Sequence, residues 1–429
     1  MPQSRPFSLR RLFWTVHQWI GIGLFLLLVP IAVSGALLTY HDEFDSLVNP
    51  KRWTVSGPEM ALTPAQYMSR VKAVAESNET VTGMRFPEST GHPVVVMARQ
   101  EVEPDSGRRP RMFSYYLDPP TGNVLDKVDF RASWVGFMHI FHENLTIPQY
   151  SGRQIVGWAG VGMLILSLTG IWLWWPRNGA FLPGLRWRRT AQTTTNLHHL
   201  LGFWISIPLA VVSLTGIYLS FPQQARSLMS SIAPMAPQGP RAFGAQILDK
   251  PSLTADEALR LAQVAEPASR PASLFLPTVQ ARPKGEPGRS KGEQGSKGEK
   301  GRGKGEQGSK KGEGREGGEG RAREAASPTW RVQFRDADHN PVTVTVDDQG
   351  GAARRLPDPL AGNRAAQWIR WIHDGSRGSE AWRFVVFLTG VFPVIFAVTG
   401  LMMWLRARRN RRRMTSPQPG SQETLVAAE

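Results

Sequence analysis

The chain has 429 residues, with 51 Lys and Arg against 35 Asp and Glu, and no cysteine. The absence of cysteine excludes disulfides, cysteine-ligated iron–sulfur clusters and covalent C-x-x-C-H haem attachment. The net charge of +16 comes largely from arginines beside apolar runs, so it reads as membrane topology and no nucleic-acid partner is expected.

Four windows, 19–40, 155–175, 200–221 and 384–405, contain no Asp, Glu, Lys or Arg. Each has roughly the 20 apolar residues that a bilayer core requires. Basic residues flank them on alternate sides. Arg5, Arg10 and Arg11 precede the first window. Arg177, Arg186, Arg188 and Arg189 follow the second. Arg406, Arg408, Arg409, Arg411, Arg412 and Arg413 follow the fourth. This bias places both termini in the cytoplasm and the two long connections outside. Ser8 to Phe13 faintly resembles a twin-arginine signal, but the apolar run that follows is too long and has no clear A-x-A site.

In chain order, residues 1–16 read as a basic cytoplasmic lead and 17–41 as the first transmembrane helix, kinked at Pro30. Residues 42–135 form a small α+β domain. Thr63-Pro64 opens its helix, strands are predicted at 93–99, 112–117 and 123–128, and Asp118-Pro119-Pro120-Thr121-Gly122 is a turn. Residues 136–176 approach the membrane and cross it, 177–196 form a cytoplasmic loop, and 197–221 form the third span. Residues 222–366 form a second α+β domain with a helix from Leu253-Thr254, strands at 331–334 and 341–346, and a turn at Asp347-Asp348-Gln349-Gly350-Gly351. An insertion at 284–324 repeats KGEQGSK. Its glycine register breaks and proline is nearly absent, so it reads as a disordered charged segment rather than a collagen-like one. Residues 367–405 approach and form the fourth span, and 406–429 are a basic tail. The expected class is an α-helical membrane protein whose four transmembrane helices fall into two helix–domain–helix repeats.

Histidines and small residues mark the repeat. His17 to Gly35 spans 18 residues, and so does His198 to Gly216. Eighteen residues are five helical turns, so each histidine shares a face with its glycine. His142 and His373 each precede a span that ends in Thr-Gly, at Gly170 and Gly400. Antiparallel helices then give two layers. His17 and His198 lie with Gly170 and Gly400 at one level, and His142 and His373 with Gly35 and Gly216 at the other. Two imidazoles per layer, with glycines as clearance, fit a bis-histidine b-type haem near each membrane face. His139, His199 and His41 are alternate ligands or supporting partners. A histidine-based Zn or Cu transporter is the competing reading. His92 and His339 read as surface residues.

At these residues the chain resembles the PepSY-associated transmembrane helix family of iron-regulated membrane proteins. The matching pieces are His17-Gln18-Trp19-Ile20-Gly21, Phe141-His142, Gly152-Arg153, Leu168-Thr169-Gly170 and Trp174-Trp175-Pro176-Arg177. They continue with Leu197-His198-His199-Leu200-Leu201-Gly202, Ile372-His373-Asp374-Gly375, Thr399-Gly400 and Trp404. The resemblance implies a bacterial inner-membrane protein with two PepSY-like periplasmic domains. Some members resemble haem-containing siderophore-iron reductases, which implies a ferric siderophore as acceptor and two haem b groups. No G-x-G-x-x-G follows a predicted strand, so the electron donor is expected to be quinol or a separate cytoplasmic reductase. The alternatives are a non-redox PepSY module that binds or regulates proteases in the periplasm, and a siderophore or metal permease.

Overall fold

The computed structural model describes residues 8–101, 110–176, 182, 190–237, 246–279 and 327–415. The insertion at 284–324, most of the loop after the second span and the end of the basic tail lie outside the described residues.

Among the described residues, four helices are long and apolar enough to cross a membrane: α1 (Leu9–Thr39), α6 (Gly152–Trp174), α7 (Thr193–Ser220) and α11 (Glu380–Thr415). They form a ring in which α1 and α7 each pack on α6 and α11. Two arginines close the ring. Arg153 at the start of α6 donates to the Leu219 carbonyl at the end of α7 (2.8 Å), and Arg383 in α11 donates to the Thr39 carbonyl ending α1 (3.0 Å). Both satisfy carbonyls that a helix C-terminus leaves open.

The bundle buries a set of hydroxyls and presents large apolar side chains on its outside. Ser34, Ser167, Thr169, Ser206, Thr215 and Thr399 are buried, while Leu26 is 76% exposed and Ile207, Leu214 and Leu168 are exposed as well. In water this would be the wrong way round. In lipid it is the stable arrangement, because hydrocarbon covers the outer leucines and the inner hydroxyls bond to helix carbonyls.

Two α+β domains are built alike. In the first, α4 (Pro64–Val74) begins with a capping box on Thr63 and Gln66 and packs on the antiparallel meander β1 (Glu79–Arg85), β2 (Val94–Gln100), β3 (Met112–Leu117), β4 (Val124–Asp129). Tyr67, Val71, Met84, Val96 and Leu117 fill the core. In the second, α9 (Ala255–Ala265) has the same box on Thr254 and Glu257. It packs on β6 (Arg270–Val279), β7 (Thr329–Arg335), β8 (Pro341–Asp347) and β9 (Ala353–Arg355), and the short β5 (Gln246–Ile247) pairs with β6. Each turn aspartate ties back to the segment before its helix: Asp118 accepts from Ser56, and Asp348 from Ser252 and Leu253.

Several boundaries differ from the sequence pattern. The lead assigned to 1–16 is helical from Leu9, and the fourth span runs on through the arginines to Thr415. The second compact unit holds 239–336 and 341–356, narrower than 222–366. Its flanking helices, α8 (Pro222–Ile232) and α10 (Ala361–Asp374), belong with the bundle, where α10 packs on α7.

Between α1 and the first meander lie α2 (His41–Val48) and α3 (Pro50–Trp53), and α5 (Trp134–Asn144) follows β4. Asp45 holds these pieces together. Its buried carboxylate accepts from Arg52 (3.0 Å), Trp53 Nε1 (2.8 Å), Asn49 (2.8 Å) and Trp134 Nε1 (2.8 Å). Asp45→Ala leaves two indole N–H groups and part of a buried guanidinium without acceptors. The expected cost is about 3 kcal/mol, read as a lowered thermal midpoint in detergent. An unchanged midpoint would mean that Asp45 does not hold α5 in place.

Candidate functional site

The histidines come together in pairs. His17 on α1 faces His198 on α7 with ring centroids 6.4 Å apart, and His142 on α5 faces His373 on α10 at 6.2 Å. A metal–imidazole bond of about 2 Å on each side of one ion sets two such centroids about 6.3 Å apart. The spacing alone does not aim the nitrogens. The hydrogen bonds on the far side of each ring do.

Thr169 donates its hydroxyl proton to the Ile165 carbonyl (2.6 Å), so its oxygen is left to accept from His17 Nδ1 (2.9 Å). Thr399 does the same between Ile395 (2.7 Å) and His198 Nδ1 (2.9 Å). In the other pair the acceptor is a backbone carbonyl. His142 Nδ1 donates to Ile31 O and His373 Nδ1 to Val212 O, each at 3.0 Å. Ser34 and Thr215 stand beside these nitrogens at 3.2 Å. All four rings therefore carry their proton on Nδ1 and a free lone pair on Nε2, the form in which imidazole binds a metal. Burial pushes His142, on a helix outside the four spans, down to about 4 with the second imidazole of His373 adding to it. His373 is likewise lowered by burial. Both rings are thus neutral.

The glycines serve these rings. A Cβ on Gly35 would stand 2.8 Å from His142 Cε1, and one on Gly216 2.9 Å from His373 Cε1. At the other level the corresponding distances are 3.5 Å from Gly170 to His17 and 3.7 Å from Gly400 to His198. At Gly35 and Gly216 the imidazoles take up the room that the missing side chain leaves, whereas a Cβ at Gly170 or Gly400 would make only ordinary van der Waals contact. Each glycine follows a hydroxyl residue, as Ser34-Gly35, Thr169-Gly170, Thr215-Gly216 and Thr399-Gly400. At Gly35 and Gly216 the hydroxyl and the gap together make a berth for one ring. The sequence pattern marks the Ser/Thr-Gly pairs as small residues that give clearance and assigns the hydroxyls no bond to the histidines.

A cavity of about 620 Å³ opens at the His17–His198 pair. That volume is in the range of sites that enclose a cofactor-sized ligand. Phe25, Leu28, Phe203 and Phe396 give it apolar walls, and Arg10 and Arg406 lie on its lining. His199 also lines it, 6.5 Å from the His198 ring. The other alternates, His41 and His139, face each other. His92 packs edge-on against Trp53, and His339 sits in a left-handed turn position.

A family model described as the PepSY-associated TM region matches residues 14–407. The chain belongs to that family. No curated protein matches this PepSY-associated chain. The matched stretch includes all four histidines, all four Ser/Thr-Gly pairs and both ring-closing arginines.

Thr169→Val and Thr399→Val remove the Nδ1 acceptors and keep the shape. A metal or metal-bearing group on Nε2 should bind 10–100-fold more weakly, roughly the usual effect of losing such a partner. Thr→Ser at either position should retain binding. Metal and pigment content per purified chain checks both, and undiminished content in the valine variants would contradict the role given to these hydroxyls.

Proposed function

We propose that the chain is an inner-membrane electron-transfer protein that holds two b-type haems, one on His17 and His198 and one on His142 and His373. It passes electrons across the bilayer to a periplasmic ferric siderophore. The observation that carries this reading is the double pairing: two sets of facing imidazoles at metal-bridging distance, each ring fixed with Nε2 free. The donor set is right for haem iron, which takes neutral histidine on both faces. About 27 Å of helix rise separates His17 from Gly35, the residue on which His142 rests. The two pairs therefore lie near opposite faces of a hydrocarbon core of about 30 Å.

Bound haem supplies reversible one-electron chemistry. The protein's residues do the rest. The four imidazoles would hold the iron, and Thr169, Thr399, Ile31 and Val212 hold the imidazoles. Phe25, Phe203 and Phe396 keep water from the apolar body of the group on the first pair. Arg10 and Arg406 offer charge to the carboxylate tails that haem carries. Among the described residues Arg10 donates to Leu173 O and Arg406 to Thr194 Oγ1, and a guanidinium has five donors.

The arginine bias supports a cytoplasmic location for both termini, so the His17–His198 level faces the donor, a quinol or a cytoplasmic reductase. The His142–His373 level faces the periplasm. The acceptor follows from the family resemblance. One electron converts Fe(III) in a hard-oxygen chelate to Fe(II), which such ligands hold less tightly.

The test uses haem-loaded protein in vesicles with a membrane-impermeant reductant inside and a ferric hydroxamate chelate outside. Ferrous iron should appear outside with the wild type. His142→Ala and His373→Ala should lose one haem of two and stop the transfer. Haem-loaded protein that reduces no ferric chelate would remove the siderophore assignment. Alanine variants with a full haem count would remove the ligand assignment.

A further inference from the structure

A third pair of imidazoles lies beside the second. His41 opens α2, directly after the first span, and His139 is on α5 one turn before His142. Their ring centroids are 6.4 Å apart, the spacing of the other two pairs. Everything else about them differs. Among the described residues, neither ring makes a hydrogen bond, whereas all four rings of the other pairs are tied through Nδ1. His41 Nδ1 is buried and has no partner. Its Nε2 stands 3.8 Å from an Asp42 oxygen, too far for a hydrogen bond. The His41 side chain is 40% exposed. A buried ring nitrogen with no partner calls for an explanation.

The surroundings are acidic. Asp42, with Glu43 and Glu88 near it, acts on the His41 side, and Glu143 and Asp374 act on His139. Arg85 and Arg370 oppose them. Imidazole nitrogens suit iron, zinc, copper and nickel, and acidic neighbours favour a cation. Among the described residues no three ligating side chains already converge. The pair thus offers two nitrogens, with the remaining positions open to water or Asp42. That suits an ion which must arrive and leave.

We infer that His41 and His139 form an exchangeable site for a borderline divalent cation, and that its working occupant is ferrous iron. The assignment of ferrous iron rests on the ferric-reductase reading, while the cation site itself rests on the geometry. Chemistry gives the site a use. Iron reduced by one electron leaves a hard-oxygen chelator more readily, and imidazole is a better ligand for Fe(II) than for Fe(III) relative to such oxygens. A two-imidazole site next to the outer pair would draw the reduced ion away from its chelator.

Anaerobic equilibrium dialysis of the haem-loaded protein against ferrous iron tests this, with non-haem iron counted by a ferrous-specific chelator and haem by its absorption. The expected result is one non-haem ferrous ion per chain in the wild type. His41→Ala and His139→Ala should weaken its binding at least tenfold with the haem count unchanged. His92→Ala should bind as the wild type does. Equal ferrous binding by wild type and both variants, or none by any, overturns the site. A loss of haem in either variant also overturns it, because the residue would then serve haem. The haem count of the wild type separately decides the electron-transfer reading, and colourless wild type that still loses ferrous binding in the two variants would leave the cation site standing.

Discussion

The site depends on one kind of contact: a hydrogen bond accepted from Nδ1 of a histidine by an atom of a neighbouring helix. It occurs four times, from His17 to Thr169, His198 to Thr399, His142 to Ile31 and His373 to Val212. An unrestrained imidazole exchanges its proton between two nitrogens and turns about two bonds. Fixing the proton on Nδ1 settles the tautomer, the rotamer and the direction of the free lone pair together. The contact also couples ring geometry to helix packing, since donor and acceptor are on different helices each time. A shift of α6 or α11 along its axis would move a hydroxyl away from its ring. The bundle and the site therefore stand or fall together.

The buried hydroxyls follow from the same requirement. Hydroxyls within the bundle return their protons to carbonyls on their own helices, as Thr169, Thr399 and Thr215 do. That return bond leaves the oxygen as an acceptor facing the histidine. Outside, the leucines and isoleucines that would burden a soluble protein are covered by lipid. The arginines at 153 and 383 complete the pattern by closing helix ends where the chain turns from membrane to domain.

The spans were legible because uncharged runs of this length have no common alternative explanation. Their ends were less so. Hydropathy detects the lipid-facing part of a helix and cannot see Arg10, Arg11 or the arginines after Leu405 as helical, although α1 and α11 continue through them. In the domains, Thr63 and Thr254 announce helices through their capping partners. Four strands, β1, β5, β6 and β9, escape the pattern, two of them for visible physical reasons. β6 carries Pro271 and Pro277, which ordinarily argue against a strand, and its register shifts between Pro271 and Ser273 and again between Phe275 and Thr278. β1 contains Gly83, where its register with β2 also shifts. At the site, the spacing of histidine and glycine reveals the faces. It does not reveal the tautomer, because a hydroxyl in a membrane helix looks like packing until the ring beside it is placed. The His41–His139 pair was also hidden, since 97 residues of sequence lie between two rings that the fold brings to 6.4 Å.

The most direct measurement is an absorption spectrum of the detergent-purified protein from haem-replete cells, oxidised and then reduced with dithionite, with haem counted per chain. Two haems on four histidines predict about two per chain, a Soret band that shifts on reduction and a sharp α band. A colourless protein would contradict haem ligation by these imidazoles, and with it the passage of electrons across the membrane.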